Sequence, residues 1–383
     1  MRVLMLAWEY PPGQVGGVAA HVDGLSHALA QAGHDVVVFT LAHRFASTST
    51  ADHGVTIRRA RTDLPWLPDE DLVARVASAN HHLVQLSADL DGWRPDVVHA
   101  HDWQVAWAAD TLAALHGARL IATFHTTERG RHGGRVPPGV AAAVHSVESW
   151  LAHRAAAVVA SSRFMTNEVL VGFELDASRA HRVPNGIDPT WWAGGEHPAE
   201  REPLVFAWGR VQYEKGFQLL APAIGMLRTR IPGVQCVIGG RGSYTPELQS
   251  QIDIEGVSDL MHLAGFLPDE NLRDMVHRAG CVAIPSLYEP FGIVALEALA
   301  GGAPLIVART GGLAELVDGT GAGLLFEPGS PAELAACIEL VLNDPDLAAE
   351  MRVNAAELLA ERYSWRAIAD ATTNIYAGNE PSR

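Results

Sequence analysis

The length of the chain suits two domains, and its acidity restricts the partners it can bind. At 383 residues, of which 48% are hydrophobic, the chain can bury more than one core. The formal net charge of −16 argues against nucleic acid or an anionic membrane surface as the main partner. A phosphate ligand would therefore be held by a few local cations rather than by a broad basic face.

The cysteines and the first residues of the chain indicate the cellular compartment in which the protein is expected. Cys236, Cys281 and Cys337 are far apart, odd in number and without zinc-ligand spacing, which is typical of a reduced intracellular protein. The chain opens with a strand-like segment rather than a charged segment followed by a long apolar run, so we expect no signal peptide. No apolar stretch is long enough to span a bilayer. We expect a cytoplasmic protein without a transmembrane segment.

The first elements form a βαβ pattern with a glycine-rich first loop. Apolar runs predict strands at Arg2 to Ala7 and Asp35 to Thr40, with a helix from Val18 to Ala32 between them. This order is typical of doubly wound nucleotide-binding sheets. Gly16 and Gly17 lie in the first loop, where the lack of a Cβ lets backbone approach a ligand. The alternative is a plain flexible turn.

Two later strands of the first half end in polar side chains. The strand Asp96 to Ala100 leads into His101 and Asp102, and the strand Arg119 to Phe124 leads into His125. The carboxyl ends of parallel strands form the functional edge of such a sheet. A metallohydrolase cluster is a weaker alternative, because no further ligand follows with metal spacing. His125 also has a plain interpretation as a core histidine.

The second half repeats the βα alternation and carries two cations in its first loop. The strand Leu204 to Trp208 is followed by Arg210 and Lys215, which Gly209 and Gly216 flank. A planar guanidinium fork and a compact ammonium are what a diphosphate requires, and in an acidic chain their placement is informative. Solvated surface charge is the alternative. The nearby Gly-Arg-Gly sequence lacks the third glycine of a dinucleotide fingerprint.

Two glutamates frame a helix later in the second half. The apolar run Cys281 to Ile284 predicts a buried strand, and Pro290 suits the first turn of a helix that continues to Leu299. Glu289 would then lie at the carboxyl end of a strand. Glu297 would lie about a turn and a half into the helix, within reach of the same crevice. The alternative is an amphipathic helix with one exposed glutamate at each end.

Taken together, these motifs resemble the retaining GT-B glycosyltransferases of glycosyltransferase family 4. The resemblance covers essentially the whole chain. It is carried by Gly16-Gly17, the turn Pro184 to Asp188, Arg210-x4-Lys215, Glu289-x7-Glu297 and Tyr363-Ser364-Trp365. The segments His101 to Trp103, Thr127 to His132 and Ser146 to Trp150 are similar to the bacterial α-glucan branch, with its glycogen synthases and the actinobacterial α-1,4-glucosyltransferases of methylglucose lipopolysaccharide synthesis.

The resemblance implies a sugar-nucleotide site in the second half. Arg210 and Lys215 would hold the diphosphate in place of a metal ion, and Glu297 would bind the ribose hydroxyls. Glu289 would bind the hexose together with the first amides of the helix, which belong to Phe291, Gly292 and Ile293. The sugar donor would be a UDP-, ADP- or GDP-sugar, and neither a metal nor another cofactor is expected.

The first half would supply the other groups of the reaction. His125 would face the sugar near its reacting carbon, Asp102 would line the acceptor side, and the loop of Gly16 and Gly17 would approach the phosphate. Trp103 and Trp107 are candidates for an acceptor platform, with core packing as the alternative role.

The resemblance also implies the architecture. The expected fold is α/β, a GT-B fold of two Rossmann-like doubly wound parallel-sheet domains facing across a cleft. The expected boundaries are 1–188 for an acceptor-side domain, 189–364 for a nucleotide-sugar domain, and 365–383 for a last helix that crosses back to the acceptor-side domain.

The chain departs from the family pattern at Gln14. Glucan synthases of this kind carry a lysine at this position, and the difference weakens a straight glycogen synthase assignment.

The implied reaction moves glucose from a nucleotide-diphosphate glucose to a hydroxyl of an α-glucan or oligosaccharide, with an α-1,4 linkage favoured. Transfer of mannose or another sugar to a small or lipid acceptor is one alternative, and a non-catalytic sugar-nucleotide-binding protein is another. Two carboxylates also allow double displacement with Glu289 as the nucleophile. A front-face route, in which the departing phosphate oxygen takes the acceptor proton, is preferred.

Overall fold

The computed structural model describes residues 1–13, 16–43, 47–62, 71–195 and 201–379. The chain forms two compact units. The first comprises Met1–Gly186 with Trp365–Arg383, and the second comprises Ile187–Ser364. Gln14, whose departure from the glucan-synthase pattern is noted above, lies outside the described residues.

Strands and helices alternate through both units. The strands are β1 (Arg2–Ala7), β2 (Asp35–Leu41), β3 (Ser49–Asp52), β4 (Val55–Ala60), β5 (Val97–His101), β6 (Arg119–Phe124), β7 (Ala157–Ala160), β8 (Ala180–Arg182), β9 (Glu202–Trp208), β10 (Gln235–Gly239), β11 (Met261–Gly265), β12 (Ala279–Ile284), β13 (Leu305–Ala308) and β14 (Gly323–Phe326). The α-helices are α1 (Gly17–Gln31), α2 (Leu72–Gln85), α3 (Ala106–His116), α4 (Glu128–Arg131), α5 (Val140–Arg154), α6 (Arg163–Phe173), α7 (Pro189–Ala193), α8 (Leu220–Leu227), α9 (Thr245–Ile254), α10 (Asp269–Arg278), α11 (Ile293–Ala300), α12 (Gly311–Val317), α13 (Pro331–Asn343), α14 (Pro345–Arg362) and α15 (Trp365–Tyr376).

The sheet of the first unit has buried strands in its middle. Its order is β3-β4-β2-β1-β5-β6-β7-β8, and only the edge strand β3 runs antiparallel to its neighbour. Residues 3–7 of β1 are fully buried, as expected for a parallel strand with helices on both faces. The strand order reverses at β1, because β2 pairs on one side and β5 on the other. The crevice between β1 and β5 is therefore the switch point of this sheet.

The sheet of the second unit is wholly parallel. Its order is β11-β10-β9-β12-β13-β14, and β9 pairs with both β10 and β12. Helices cover both faces, and two separate apolar clusters pack against the two sides of the strands. The strand order reverses at β9, so the loops that follow β9 and β12 border the switch point. The expected fold class, two Rossmann-like parallel-sheet domains, is confirmed.

Several elements differ from the sequence prediction at their ends. The helix expected from Pro290 begins only at Ile293, because Gly292 lies before it with a φ of +103° and interrupts the turn. The sequence from Asp71 to Leu90 predicts one helix, but α2 ends at Gln85 and the chain continues as a short 3-10 helix. By contrast, the sequence from Trp365 to Tyr376 predicts one last helix, and α15 has these bounds. None of the helices in the described residues has the length and apolar composition needed to cross a membrane.

Candidate functional site

In the second unit, the two loops at the switch point approach each other closely at one glycine, Gly216. A Cβ added at Gly216, where φ is +70°, would lie 1.8 Å from the carbonyl oxygen of Pro285. Only glycine permits this contact between the loop after β9 and the loop after β12. The amide of Leu287 also donates to the carbonyl of Glu214 at 2.8 Å. The two loops therefore form one rigid edge.

At this edge the predicted cation, Lys215, forms an ion pair with the predicted carboxylate, Glu289. The Nζ of Lys215 lies 2.7 Å from Oε2 of Glu289, and the two side chains are only 21% and 12% exposed. The hydroxyl of Ser286 lies 3.5 Å from the same oxygen. Lys215 is also the single lysine of the chain, in which all other basic side chains except histidine are arginines. Its ammonium pairs with the carboxylate as a compact point charge, unlike the planar guanidinium of an arginine.

Arg210 lies in the same loop but makes no such contact. Its side chain is exposed, and its guanidinium has no hydrogen bond or ion pair within the part of the chain that the structure describes. The backbone around it is nonetheless fixed. The amide of Val211 donates to the carbonyl of Arg241, and Gln212 donates to the carbonyl of Arg210, both at 2.9 Å. The structure thus brings Lys215 and Glu289 together and leaves Arg210 free to meet a ligand.

The residues just before and at the start of α11 present unused amides. Over the described ranges, no acceptor pairs with the backbone N–H groups of Phe291, Gly292 or Ile293. Such amides at a helix N-terminus favour an anion or a sugar oxygen. Gly292 is confined by Leu313, whose Cδ2 would lie 2.5 Å from an added Cβ. The loop is also tied by the amide of Gly312, which donates to the carbonyl of Glu289 at 3.0 Å.

Glu297 lies in the second turn of α11. Its Oε2 accepts from the indole Nε1 of Trp208 at 3.2 Å, and Trp208 is the last residue of β9. Burial raises the pKa of the Glu297 carboxyl to about 7, although the indole bond acts in the opposite direction. A carboxylate with one fixed donor keeps its remaining lone pairs for hydroxyl groups.

The first unit has its own polar edge at the ends of β5 and β6. Asp102 follows β5 with a φ of +61°, an uncommon conformation for a residue with a side chain. Its Oδ1 accepts from the amide of His125 at 2.7 Å, which fixes the start of the loop after β6. Burial raises the pKa of the Asp102 carboxyl to about 6. Burial also lowers the pKa of the His125 imidazole to about 4, so this imidazole is neutral at neutral pH.

Two residues of this edge were missed as site residues by sequence reasoning. Glu148 lies in α5 and is 2% exposed; both of its carboxyl oxygens accept from the amide of Glu128, at 3.0 and 3.1 Å. Burial raises the pKa of Glu148 to about 8. His21 lies in α1, with its ring 4.8 Å from that of His125. Glu148 was noticed only as part of a motif, and no local spacing points to His21.

A cavity of about 290 Å³ opens beside these groups in the first unit. Its polar lining includes Glu128 and Arg131, and its apolar lining includes Trp8, Trp103 and Val144. Trp103 is 8% exposed and packs in a small apolar cluster, so it serves the core and the cavity wall together. The other predicted platform residue, Trp107, packs against the same cluster but does not line the cavity.

The glycine pair predicted at the first loop lies at the start of α1. Gly16 is the residue before the helix and Gly17 is its first residue. A Cβ at Gly16 would lie 3.3 Å from a carboxyl oxygen of Glu9, which is tight but leaves the backbone unstrained. The helix N-terminus thus lies beside the switch point of the first sheet.

Comparison with known proteins agrees with this geometry. Residues 15–191 match the family described as Glycosyltransferase Family 4, and residues 194–358 match the family described as Glycosyl transferases group 1. A glycogen synthase of Mycobacterium tuberculosis is 36% identical over 98% of this chain and 94% of its own length. The chain therefore belongs to glycosyltransferase family 4, and it is a glycosyltransferase related to the α-glucan synthases.

Two solved structures share the fold. A sucrose-phosphate synthase from Thermosynechococcus elongatus superposes with a TM-score of 0.84 at 22% identity, over 98% of both chains. The catalytic domain of starch synthase IV from Arabidopsis thaliana, bound to ADP and acarbose, superposes with a TM-score of 0.77 at 19% identity, again over 98% of both chains. Both are GT-B glycosyltransferases, so the chain has the GT-B fold.

Proposed function

We propose that the protein is a retaining glucosyltransferase that moves glucose from a nucleotide-diphosphate glucose to a hydroxyl of an α-glucan, with an α-1,4 linkage. The observation that carries this proposal is the Lys215–Glu289 pair at the switch point of the second sheet, beside Arg210, whose guanidinium has no partner among the described residues. The relation to a glycogen synthase over nearly the whole chain supports the α-glucan acceptor. The ADP and acarbose bound to starch synthase IV are consistent with the class of sugar donor and acceptor.

The second unit supplies the groups that hold the sugar donor. Arg210 and Lys215 bind the diphosphate, and the amides of Phe291, Gly292 and Ile293 bind oxygens of the phosphate or the hexose. Loss of the nucleoside diphosphate leaves an oxocarbenium-like sugar and develops negative charge on the leaving group. Preorganised cations and helix-end amides stabilise that charge, so no metal ion is required for this step.

Glu289 and Glu297 contact different parts of the sugar donor. Glu297, held by the Trp208 indole, accepts from the ribose hydroxyls. Glu289 accepts from hexose hydroxyls and also fixes the Lys215 ammonium, so one carboxylate orients both the sugar and the cation that faces its leaving group. In the front-face route the departing phosphate oxygen takes the proton of the acceptor hydroxyl, and Glu289 forms no covalent bond.

The first unit supplies His125 and Asp102. The neutral His125 imidazole hydrogen-bonds to the sugar near its reacting carbon without adding positive charge beside the oxocarbenium. Asp102 orients His125 through its amide and lines the acceptor side. The cavity walled by Trp103 and Trp8 offers apolar surface to the ring faces of acceptor sugars.

The experiment is a panel of sugar donors. The protein is incubated with UDP-, ADP- and GDP-glucose and with GDP-mannose, each with a maltooligosaccharide, and the release of nucleoside diphosphate is measured. Proton NMR of the product then reads the anomeric configuration and the linkage. The proposal predicts release with a glucose donor and a lengthened α-1,4-glucan. Release with GDP-mannose alone, or a β-linked product, would contradict it.

A further inference from the structure

Three imidazoles from three different elements converge at the edge of the first sheet. His21 lies in α1, His101 ends β5 and His125 follows β6. One ring nitrogen of each lies within 4.8 Å of the other two, and Nδ1 of His101 is 3.3 Å from Nε2 of His125. Two imidazole nitrogens on one tetrahedral Zn²⁺ at about 2.0–2.1 Å lie about 3.4 Å apart. The two nitrogens form a hydrogen bond with each other, and their separation is also that of two ligands on one ion.

The cluster contains buried nitrogens that the protein does not use. Nδ1 of His21 is buried and finds no hydrogen-bond partner among the described side chains and backbone; the same holds for Nε2 of His101, which is the other ring nitrogen from the one that lies near His125. A buried polar atom without a partner is costly, and a cation bound through Nδ1 of His21 removes that cost. Imidazoles bind metal ions through an unprotonated ring nitrogen.

The surroundings limit the cluster to three protein nitrogens. The ring of His99 is 4.2 Å from that of His101, but its own nitrogens lie 2.7 Å from the hydroxyls of Tyr376 and Thr123. His99 therefore positions its neighbours and does not offer a free lone pair. Asn185 interacts with His21, and its buried Oδ1 is unpaired with respect to the described residues. That oxygen or a water can occupy the fourth position.

We propose that His21, His101 and His125 form a binding site for one Zn²⁺-class cation, and that its occupancy inhibits glycosyl transfer. Three neutral imidazoles with an open fourth position favour Zn²⁺, Co²⁺, Ni²⁺ and Cu²⁺, whereas Mg²⁺ and Ca²⁺ require oxygen ligands. The inhibition rests on the proposed function, in which His125 contacts the sugar. A metal-bound His125 cannot make that contact, and the cation places positive charge beside the developing oxocarbenium.

A second histidine cluster provides a matched control. His27, Asp52 and His53 also place three ligand atoms within 4.8 Å of one another, but two of the three residues are exposed. The side chain of His53 is 83% exposed, and its backbone has a φ of +42°. Asparagine tolerates that conformation, so His53→Asn removes a ligand of the exposed cluster without straining the turn.

The test uses the full-length protein after treatment with EDTA. Binding of Zn²⁺ is measured by calorimetry, and Co²⁺ is added as a probe whose visible d–d absorption reports tetrahedral coordination. We expect one strong site per chain that Mg²⁺ does not fill. The site is lost in His21→Gln and in His101→Gln, and it is kept in His53→Asn. Loss in His53→Asn with retention in His21→Gln would overturn the proposal, as would the lack of a stoichiometric site.

Two further measurements keep the test decisive. If the buried variants fail to fold, anomalous diffraction at the zinc edge from wild-type crystals locates the ion, and a peak elsewhere than among the three imidazoles overturns the proposal. Transferase activity is then measured with and without Zn²⁺. Inhibition that EDTA reverses supports the inhibitory role, and full activity of the zinc-loaded protein contradicts it. Binding at the cluster without activity towards any sugar nucleotide would instead refute the proposed function and leave the metal site standing.

Discussion

The ammonium of Lys215 lies 2.7 Å from the carboxylate of Glu289, across the two loops that border the switch point of the second sheet. The pair is half-buried, so its charges are screened less than those of the exposed ion pairs elsewhere in the chain. Because Glu289 neutralises the ammonium when no ligand is bound, the diphosphate gains a cation that is already oriented. This pair connects the proposed binding of the leaving group to the proposed binding of the sugar.

Replacing Lys215 should affect transfer far more than stability. Lys215→Ala removes one preorganised cation, and we expect kcat/KM to fall by roughly 10²–10³-fold, as for the loss of one oxyanion-hole donor. Lys215→Arg should recover little, because the guanidinium cannot make the same compact contact. Arg228→Ala is the control, since Arg228 forms an exposed ion pair with Asp259 in the same unit. Equal kinetics for Lys215→Ala and Arg228→Ala would refute the role of Lys215.

The close approach of Gly216 to Pro285 should be essential for the loops. Gly216→Ala introduces a Cβ that would meet the Pro285 carbonyl oxygen at 1.8 Å, so the loops must separate. Gly256→Ala is a matched control, because Gly256 has nearly the same φ of +66° but no atom within 4 Å of an added Cβ among the described residues. Gly256→Ala should cost only the left-handed conformation, about 1–2 kcal/mol in urea unfolding.

The difference between the two glycine variants isolates the contact. We expect Gly216→Ala to lose more stability than Gly256→Ala, and to lose activity as well, because Lys215 precedes the displaced residue. Identical unfolding midpoints and activities in the two variants would mean that the contact is not required.

The raised pKa of Glu297 predicts a pH-dependent affinity for the sugar donor. Its pKa is about 7, so the carboxylate that accepts from ribose hydroxyls forms as the pH rises through neutrality. The KM for the sugar nucleotide should therefore fall from about pH 6 to about pH 8, with a smaller change in kcat. Glu297→Gln should flatten that profile. Trp208→Phe removes the hydrogen bond that lowers this pKa and should move the profile to higher pH.

Glu148 makes the stability of the first unit pH-dependent. Its folded pKa of about 8 lies above the ordinary value of 4.5, so the folded state holds the proton more tightly than the unfolded state. This contribution to stability is complete below about pH 4.5 and is lost as the pH rises to about 8. Glu148→Gln keeps an oxygen for the Glu128 amide and removes the titration. The free energy of unfolding should vary less with pH in this variant, and an unchanged slope would contradict the assignment.

Asp102 accepts a hydrogen bond from the backbone amide of His125. The negative charge of Asp102 can therefore be removed either with or without the loss of this hydrogen bond. Asp102→Asn keeps an oxygen for the His125 amide and tolerates the positive φ, so we expect a folded protein with reduced activity. Asp102→Ala loses both the acceptor and the favoured conformation, and we expect it to lower the thermal unfolding temperature as well. Thermal melts and kinetics of the two variants measure this contrast, and equal melting temperatures would contradict it.

Local sequence patterns predicted many of the helices and strands. The sequence from Trp365 to Tyr376 predicted α15 with its observed bounds, and the apolar run from Arg119 to Phe124 predicted β6. The predicted start of α11 was wrong, because Pro290 is compatible with a first helical turn, whereas Gly292 has a positive φ and packs against Leu313. Such packing is set by residues distant in sequence.

The sequence predicted the site residues that directly follow strands. It did not predict those that reach the site because a helix packs against the sheet. Arg210, Lys215 and Glu289 follow strand ends in the sequence, so their common edge could be inferred. The ion pair between Lys215 and Glu289 could not, because it depends on the contact of two loops. His21 approaches His125 only because α1 packs beside the switch point of the first sheet, and no spacing in the sequence encodes that distance.

Lys215 offers the most direct test, because it is the single lysine of the chain. The protein is acetylated with an amine-selective ester with and without saturating ADP, UDP or GDP, and mass spectrometry measures the rate at Lys215, with the Met1 amine as the internal reference. We predict that at least one nucleoside diphosphate slows acetylation of Lys215 at least several-fold while Met1 reacts unchanged. An unchanged rate at Lys215 with all three nucleotides would contradict the claim that this ammonium binds the diphosphate.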